Sequence, residues 1–387
     1  MTITSVSNFL ASGMSSGIKP SGAPDLALIA HADGKPVTAA GVFTSNKMTA
    51  APVQICKEFL LETGGQAAAV IINSGNANAA TGERGKEDAR TMASLTAEQI
   101  GCRTQEVLVC STGWIGYPLP IEKIESSIPN AFESLSSEGG LDAAKAIMTT
   151  DTVPKTVEIK KDNFTIGGIA KGAAMLEPNM ATMLAVIATD AEIDSLSATG
   201  MLQDAVSASF NCLTVDGAES TNDTVLLLAS GESGPVDKSA LAESLNEACK
   251  SLAIQMADDA EGSTKTVFLT VTGAATDEEA LKGARDTANC QLVKCSWYGE
   301  DPYWGRIAAE MGAAGIAFDP ETITISYGDQ VVYADGEAQT VDQQLLKEHM
   351  AGRKIKLDVD LGQGSGTAQI VTTDLSHAYI DENMITS

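Results

Sequence analysis

Short apolar runs of strand length alternate with amphipathic stretches of helix length along almost the whole chain, which predicts a mixed α/β protein. The predicted strands, rich in Val, Ile and Thr, are Ala67 to Ile72, Val107 to Cys110, Thr165 to Ile169, Thr224 to Leu228, Thr266 to Val271, Thr322 to Ser326 and Ile355 to Val359. A helix is predicted over Ser239 to Ala257, because Leu241, Leu245 and Leu252 recur on one face.

Other elements carry local signals. A helix over Ile121 to Phe132 is predicted to be kinked or divided by Pro129. The capping-box pattern Thr276 to Glu279 opens a third helix. In the C-terminal part, Tyr327-Gly328-Asp329 and Gly362-Gln363-Gly364 predict the turns of hairpins.

Composition narrows the class of protein. The chain has 387 residues, enough for two or three domains, and its 44% hydrophobic content predicts a folded protein. Its net charge of −26 repels nucleic-acid phosphates and anionic lipids, so we expect neither as a partner. Apolar runs such as Met183 to Ala188 are far shorter than the roughly 20 residues of a membrane helix. No positive charge precedes Lys19, so the secretory n-region is missing and a cytoplasmic location is expected.

Cysteine and histidine usage limits the chemistry. The seven cysteines are scattered without a C-x-x-C pair, which favours reduced thiols over a disulfide framework. The chain has only three histidines, so we expect no histidine-rich metal site.

Two predicted strands end in segments rich in small and polar residues. Asn73 to Asn78 is either a tight turn or a site-lining loop. Cys110 to Gly116 contains glycines that allow backbone N–H groups to approach a ligand oxygen, which suits an oxyanion hole.

The most unusual segment runs from Ala170 to Leu184. A Gly-rich turn and a Pro-Asn pair lead into Thr182, which opens an apolar run. If the Ala181–Thr182 peptide were cut, the free α-amine of Thr182 could act as the base for its own hydroxyl. The alternative is a strand that starts with a β-branched residue.

Two acidic or polar segments have both structural and functional interpretations. Ser220 to Thr224, with Asp216-Gly217 before it, has the short side chains that cap helices and pin turns. Asp259 to Gly262 is typical of a helix C-terminus, although acidic residues there oppose the helix dipole.

Taken together, these segments resemble the ArgJ family of arginine-biosynthesis ornithine (glutamate N-) acetyltransferases. The stretch from Lys171 to Leu184 resembles the self-cleavage segment of that family. Further matches in the same order are Ser111 to Gly113, Thr149 to Thr152, Ser220 to Thr224, Asp259 to Gly262, Asp301-Pro302, Trp304 to Arg306 and Thr373 to Tyr379.

The resemblance implies self-cleavage between Ala181 and Thr182 into fragments 1–181 and 182–387. It implies that the fragments stay together, as an α2β2 heterotetramer, and build a layered αββα-type sandwich. We expect both fragments to contribute strands to one core, because the apolar run from Met183 has no room to be a surface tail. The implied catalytic residues are the nucleophile Thr182 and the oxyanion-hole pair Thr112 and Gly113. The implied substrate-binding residues are Thr149, Lys171, Thr182, Glu261, Asn383 and Ser387.

The implied reaction moves an acetyl group from N-acetyl-L-ornithine to L-glutamate through an acetyl-threonine ester. Lys171 would hold the common α-carboxylate and Glu261 the ornithine ammonium. No metal or cofactor is expected; acetyl-CoA is a second donor in bifunctional members. The alternatives are an autoprocessed amidase or aminopeptidase, in which water takes the acyl group, and a non-catalytic acidic binding protein.

Three positions depart from the family pattern. Ala174 replaces a usual glycine and would slow cleavage if a positive φ were needed there. Tyr303 stands where asparagine is usual. The tail after Asn383 is one residue shorter than is usual, so Thr386 competes with Ser387 for the last substrate contact.

Overall fold

The predicted alternation of strands and helices is confirmed by the computed structural model, which describes residues 2–177 and 183–384. Its strands are β1 (Phe9–Met14), β2 (Leu26–His31), β3 (Val37–Phe43), β4 (Gln66–Ala67), β5 (Ala69–Asn76), β6 (Val107–Trp114), β7 (Lys155–Lys160), β8 (Thr165–Lys171), β9 (Leu184–Thr189), β10 (Thr224–Ala229), β11 (Thr266–Ala274), β12 (Thr324–Tyr327), β13 (Gln330–Ala334), β14 (Glu337–Ala338), β15 (Lys354–Asp360) and β16 (Gly366–Thr373). Its α-helices are α1 (Ala51–Thr63), α2 (Gly82–Ile100), α3 (Ile121–Glu133), α4 (Gly140–Ala146), α5 (Ser195–Ser207), α6 (Lys238–Asp258), α7 (Asp277–Asn289), α8 (Gln291–Tyr298), α9 (Trp304–Ala313), α10 (Gln343–Ala351) and α11 (His377–Asn383). Short 3₁₀ helices cover Ile3–Ser5, Thr104–Glu106 and Phe210–Cys212.

The chain divides into two compact units. The first contains Met1–Asn211 and Ala218–Met256, and the second contains Cys212–Gly217 and Ala257–Ser387. The boundary between the units therefore does not coincide with the expected boundary between fragments 1–181 and 182–387.

The first unit is a layered α/β structure, as the resemblance implied. One sheet has the strand order β1-β2-β5-β6, and the other has the order β4-β3-β10-β9-β8-β7. Helices α2 and α3 contact the four-stranded sheet, and α5 contacts the six-stranded sheet. One apolar cluster includes Ile71 of β5 and Val186 of β9, so the two sheets share a core.

Strand β9 lies inside the six-stranded sheet and all its residues are buried. It pairs antiparallel with β8, where Leu184 faces Lys171, and parallel with β10, where Leu184 faces Thr224. The segments before residue 178 and after residue 182 thus contribute adjacent strands to one sheet. This arrangement agrees with the expected shared core.

The second unit is built on one sheet with the order β14-β13-β12-β15-β11-β16. Its core includes the fully buried Trp297 and Tyr327. The predicted cap of α7 is confirmed, because the Glu279 N–H donates to the Thr276 side chain. The turn around Gly328 joins the paired strands β12 and β13, as predicted. The turn at Gly362 does not make a hairpin, because β11 lies between β15 and β16.

Two further expectations need correction. Helix α3 continues through Pro129, so the expected division is wrong and a kink there stays a prediction; the buried residues Ile124 and Ile128 anchor the helix to the core while Pro129 faces solvent. Strands β5 and β6 extend beyond their apolar runs to Asn76 and Trp114, because backbone pairing continues where the side chains become polar. All seven cysteines are free thiols, as predicted. Within the described ranges, no helix has the length and apolar character of a membrane span.

Candidate active site

The ends of the parallel strands β5 and β6 carry the first group of predicted site residues. Asn73 faces Ser111 in the register, and the Ser111 hydroxyl donates to Asn73 Oδ1 at 2.6 Å. The Asn73 amide in turn donates to the Asn76 carbonyl at 2.9 Å. The first four residues of the polar run Asn73 to Asn78 are therefore the last part of strand β5, and Ala77 and Asn78 follow the strand.

Gly113 and Gly75 lie against each other at these strand ends. Both have positive φ angles, +130° for Gly113 and +96° for Gly75. A Cβ atom on Gly113 would stand 2.3 Å from the Gly75 carbonyl carbon, which no real side chain tolerates. The glycine at position 113 is thus required by packing and backbone conformation, in addition to the oxyanion role that the sequence predicts.

Thr112 precedes this glycine and is buried, with 1% of its surface exposed. Its hydroxyl oxygen accepts a hydrogen bond from the Lys171 ammonium, with 3.4 Å between Nζ and Oγ1. An ammonium group only donates, so the oxygen of Thr112 must be the acceptor and its own proton stays available for another acceptor. This is the state that an oxyanion-hole donor needs.

Asp151 joins Thr149 to Lys171. Its Oδ2 atom accepts from the Thr149 N–H at 3.0 Å and lies 3.9 Å from Lys171 Nζ. Its Oδ1 atom accepts from Lys155 Nζ at 2.6 Å and from the Gly172 N–H at 2.7 Å. Two of the predicted substrate-binding residues are therefore held by one buried carboxylate.

Asp151 is a buried carboxylate between two lysines. Burial acts to raise the pKa of Asp151, but the ammonium groups of Lys171 and Lys155 outweigh it and lower that pKa to about 2. The Lys171 and Lys155 ammonium groups both lie against this carboxylate in a buried setting. Sequence reasoning assigned no role to Asp151 or Lys155, although an acid and a lysine four residues apart beside Thr149 were a usable signal.

The second unit contains another pair of predicted residues in contact. The Asn383 amide donates to Glu261 Oε2 at 2.8 Å. Beside them, Gly262 has a φ of +61°, and a Cβ there would stand 2.2 Å from the Tyr379 nitrogen. The close approach of the segment after α6 to helix α11 thus requires glycine and brings Glu261 to Asn383.

The remaining predicted positions do not belong to these clusters. Ala181, Thr182 and Ser387 lie outside the described residues, as does Thr386. Ala174 does not have a positive φ; its neighbour Met175 does, at +54°. The added methyl group at position 174 therefore causes no backbone strain of the kind considered for it. Among residues 2–177 and 183–384, no group of three acidic, histidine or cysteine side chains is placed to hold a metal ion.

Comparison with known proteins gives matches along the whole chain. The model of the ArgJ family matches residues 10–385. The arginine biosynthesis bifunctional protein ArgJ of Mycolicibacterium paratuberculosis is 46% identical over 390 residues, covering 98% of this chain and 95% of that protein. The protein of the same name from Streptomyces coelicolor is 42% identical over 384 residues, covering 99% of each.

Solved structures also match. A chain of the arginine biosynthesis bifunctional protein from Bacillus halodurans is 35% identical with a TM-score of 0.49, covering 50% of this chain and 95% of that one. A chain of the ornithine acetyltransferase from Mycobacterium tuberculosis, solved with ornithine, is 42% identical with a TM-score of 0.44. That match covers 46% of this chain and 94% of the solved chain.

Proposed function

The chain belongs to the ArgJ family, and we propose that it transfers the acetyl group of N-acetyl-L-ornithine to L-glutamate through an acetyl ester on Thr182. It is an acetyltransferase of arginine biosynthesis. The match of nearly the whole chain to relatives with this role carries the proposal. The hydrogen bond between Lys171 and Thr112 supports the assignment of individual residues.

In the first half of the reaction, the Thr182 hydroxyl attacks the acetyl carbonyl of N-acetylornithine. The hydroxyl proton passes to the Thr182 α-amine and then to the leaving α-nitrogen of ornithine as the C–N bond breaks. The negative charge on the tetrahedral oxygen is stabilised by the Thr112 hydroxyl and the Gly113 N–H. The available proton of Thr112 supports its part in this step.

In the second half, the α-amine of glutamate attacks the ester carbonyl. The bond to Thr182 Oγ breaks, and the threonine recovers its proton. Both substrates are α-amino acids with an α-carboxylate, so one site can bind them in turn. Lys171 and Thr149 bind this carboxylate in our proposal, and their shared contact with Asp151 holds both near one another.

Two further residues of the proposed set contact the substrate side chain. Glu261 pairs with the ammonium of ornithine, and Asn383, which donates to Glu261, orients it. Ser387 completes the proposed set of substrate contacts. The nucleophile, the base and the oxyanion donors are all protein groups, so the reaction needs no metal or cofactor.

The same hydroxyl produces the mature enzyme. Thr182 Oγ attacks the Ala181 carbonyl, the peptide nitrogen becomes the free α-amine, and water hydrolyses the resulting ester. The fragments 1–181 and 182–387 then remain associated as an α2β2 heterotetramer in the cytoplasm. The position of β9 between β8 and β10 supports this association, because separating the fragments would break hydrogen bonds on both edges of β9.

Acetyl-CoA is a second donor in this proposal. The matched relatives are named bifunctional. A thioester carbonyl can acetylate the same threonine, with the thiol leaving in place of ornithine, so no second nucleophile is needed.

Intact mass spectrometry tests the proposal directly. The purified protein should appear as two fragments, and incubation with N-acetylornithine should add one acetyl group to the fragment that begins at Thr182. Glutamate should remove that group as N-acetylglutamate, and acetyl-CoA should restore it. Release of free acetate at an unchanged rate with and without glutamate would identify an amidase instead. A single full-length mass without acetylation would identify a binding protein.

A further inference from the structure

The segment Ser220 to Thr224 contacts the strand that carries Thr112. The Asn222 amide group donates to the Ser111 carbonyl at 2.8 Å and to the Ala77 carbonyl at 2.6 Å. The Thr221 hydroxyl donates to Asn222 Oδ1 at 2.7 Å, which fixes the orientation of the amide. Because the Ser111 carbonyl belongs to the peptide that joins Ser111 to Thr112, Asn222 fixes the backbone immediately before the oxyanion donor.

The next residue, Asp223, contacts Met183, which directly precedes strand β9. Asp223 Oδ1 accepts from the Met183 N–H at 3.0 Å, and the Thr224 N–H donates to the Met183 carbonyl at 3.2 Å. Met183 is joined directly to Thr182 in the sequence. The Asp223 carbonyl accepts from the Thr44 N–H at 3.0 Å, so Asp223 is itself anchored to the neighbouring part of the sheet.

The Asp223 side chain has a second oxygen that this hydrogen bond does not use. It is fully buried, and its second oxygen, Oδ2, has no hydrogen-bond partner in the described part of the chain. Burial raises the pKa of Asp223 well above its ordinary value. This rise is offset only in part by the Met183 N–H, the nearby Ser220 hydroxyl and the charge of Lys171, and the charge of Glu219 adds to it. Burial thus favours the uncharged form of this carboxyl, and in that form Oδ1 can accept while Oδ2 donates.

We propose that Asn222 and Asp223 are positioning residues of the acetyl transfer, which hold the strand carrying Thr112 and the strand that follows Thr182 in one fixed relation. The inference rests on the proposed role of Thr182 as nucleophile. Adjacent residues with hydrogen bonds to two different strands couple the oxyanion donor to the nucleophile. We expect the Asp223 carboxyl to be neutral in this role, because burial favours its uncharged form and the Met183 N–H needs only an acceptor.

The test compares two substitutions with a matched control. Asp223→Ala removes the acceptor for Met183 and should lower kcat on the order of 10- to 100-fold, with KM for N-acetylornithine nearly unchanged, because misplaced reacting groups slow the chemical step. Asp223→Asn keeps an acceptor and a donor in the same shape and should recover most of the lost kcat. Asp190→Ala removes a similar bond, from the Thr165 N–H at 2.7 Å, at the other end of β9 and should leave kcat unchanged.

Kinetics must be measured on fully cleaved enzyme. Wild-type kcat in cleaved Asp223→Ala overturns the proposal, as does an equal loss of kcat in Asp190→Ala. An Asn222→Ala variant with wild-type kcat overturns the part assigned to Asn222.

Infrared spectroscopy gives a readout that does not depend on activity. The difference spectrum of wild type minus Asp223→Asn at neutral pH should contain the carbonyl band of a protonated carboxylic acid. A carboxylate band in its place overturns the neutral state, even if the alanine variant does not fold. Failure of wild-type protein to become acetylated on Thr182 would refute the proposed function instead, and the infrared result would still stand.

Discussion

The Nζ atom of Lys171 lies 3.4 Å from the Oγ1 atom of Thr112, a residue 59 positions earlier in the chain. Strand β6 presents Thr112, and strand β8 ends at Lys171. The ammonium group polarises the threonine hydroxyl by donating to its oxygen, and this makes the hydroxyl proton a better donor. The contact therefore connects a proposed substrate-binding residue with a proposed oxyanion donor.

Removal of the Thr112 hydroxyl should slow the chemical step selectively. The negative charge that it stabilises exists only in the tetrahedral state, so Thr112→Ala should lower kcat by on the order of 10² to 10³ with little change in KM. Thr112→Ser keeps the hydroxyl and serves as the control. Steady-state kinetics on fully cleaved enzyme measure both constants. Wild-type kcat in the alanine variant would show that Thr112 is not an oxyanion donor.

The buried Asp151 carboxylate should make stability depend on pH in the acid range. Its pKa is lowered from 3.8 to about 2, so its stabilising effect is complete above pH 4 to 5 and is lost as the pH falls towards 2. Asp151→Asn should destabilise the protein by on the order of 3–5 kcal/mol at pH 7, because a buried carboxylate that pairs with Lys155 and Lys171 is removed.

Urea unfolding at several pH values measures this effect. The difference in unfolding free energy between wild type and Asp151→Asn should shrink by roughly 1 kcal/mol from pH 6 to pH 3. The exposed Asp162 gives a control variant, Asp162→Asn, for the loss of one surface charge. A difference that is constant over this range would contradict the assignment of a carboxylate paired with two lysines.

The fold was predictable from sequence wherever a side-chain pattern reports the environment of the backbone. The apolar run of β9 and the cap at Thr276 are such cases. The polar ends of β5 and β6 were not, because the hydrogen bond between Ser111 and Asn73 forms between strands whose register the sequence does not display. The Gly362 turn was assigned to a hairpin because a local pattern cannot show that β11 lies between the two strands.

The site was predictable where the residue type itself signals chemistry. Glycine at a strand end pointed to Gly113, and the resemblance supplied Lys171. The supporting residues were missed for different reasons. Asn222 and Asp223 have the residue types of an ordinary turn, and their partners Ser111 and Met183 lie 111 and 40 residues away.

Helix α9 begins without a side-chain cap, since Tyr303 occupies the N-cap position. An asparagine side chain at this N-cap position would accept a hydrogen bond from the first turn. Tyr303→Asn should therefore be more stable than Tyr303→Ala by about 1 kcal/mol. Both variants lose the contact of the tyrosine ring with Trp304, so their difference isolates the cap. Equal melting temperatures of the two variants would show that the cap does not form.

Replacement of Glu261 by glutamine should show whether the negative charge of Glu261, as distinct from its shape, contributes to binding of N-acetylornithine. The glutamine oxygen can still accept from Asn383, so only the negative charge is lost. KM for N-acetylornithine should rise by about 10-fold or more, since a hydrogen bond to a charged group is worth roughly 1.5–3 kcal/mol. N-acetylnorvaline, which lacks the ammonium group, provides the control substrate and should be affected little. Equal changes in KM for both donors would place Glu261 away from the ornithine side chain.

Self-cleavage and catalysis should depend on one hydroxyl, that of Thr182. Thr182→Ala cannot form the ester with Ala181, so it should remain a single chain of 387 residues without acetyltransferase activity. Thr182→Ser retains a hydroxyl and should still be processed, more slowly or to a smaller extent. A denaturing gel and intact mass of protease-free preparations distinguish the two variants. Because β9 pairs on both edges in the same sheet, cleaved wild type should elute from a native sizing column as one species. Normal processing of Thr182→Ala would exclude Thr182 as the nucleophile, and separation of the fragments without denaturant would contradict the shared core.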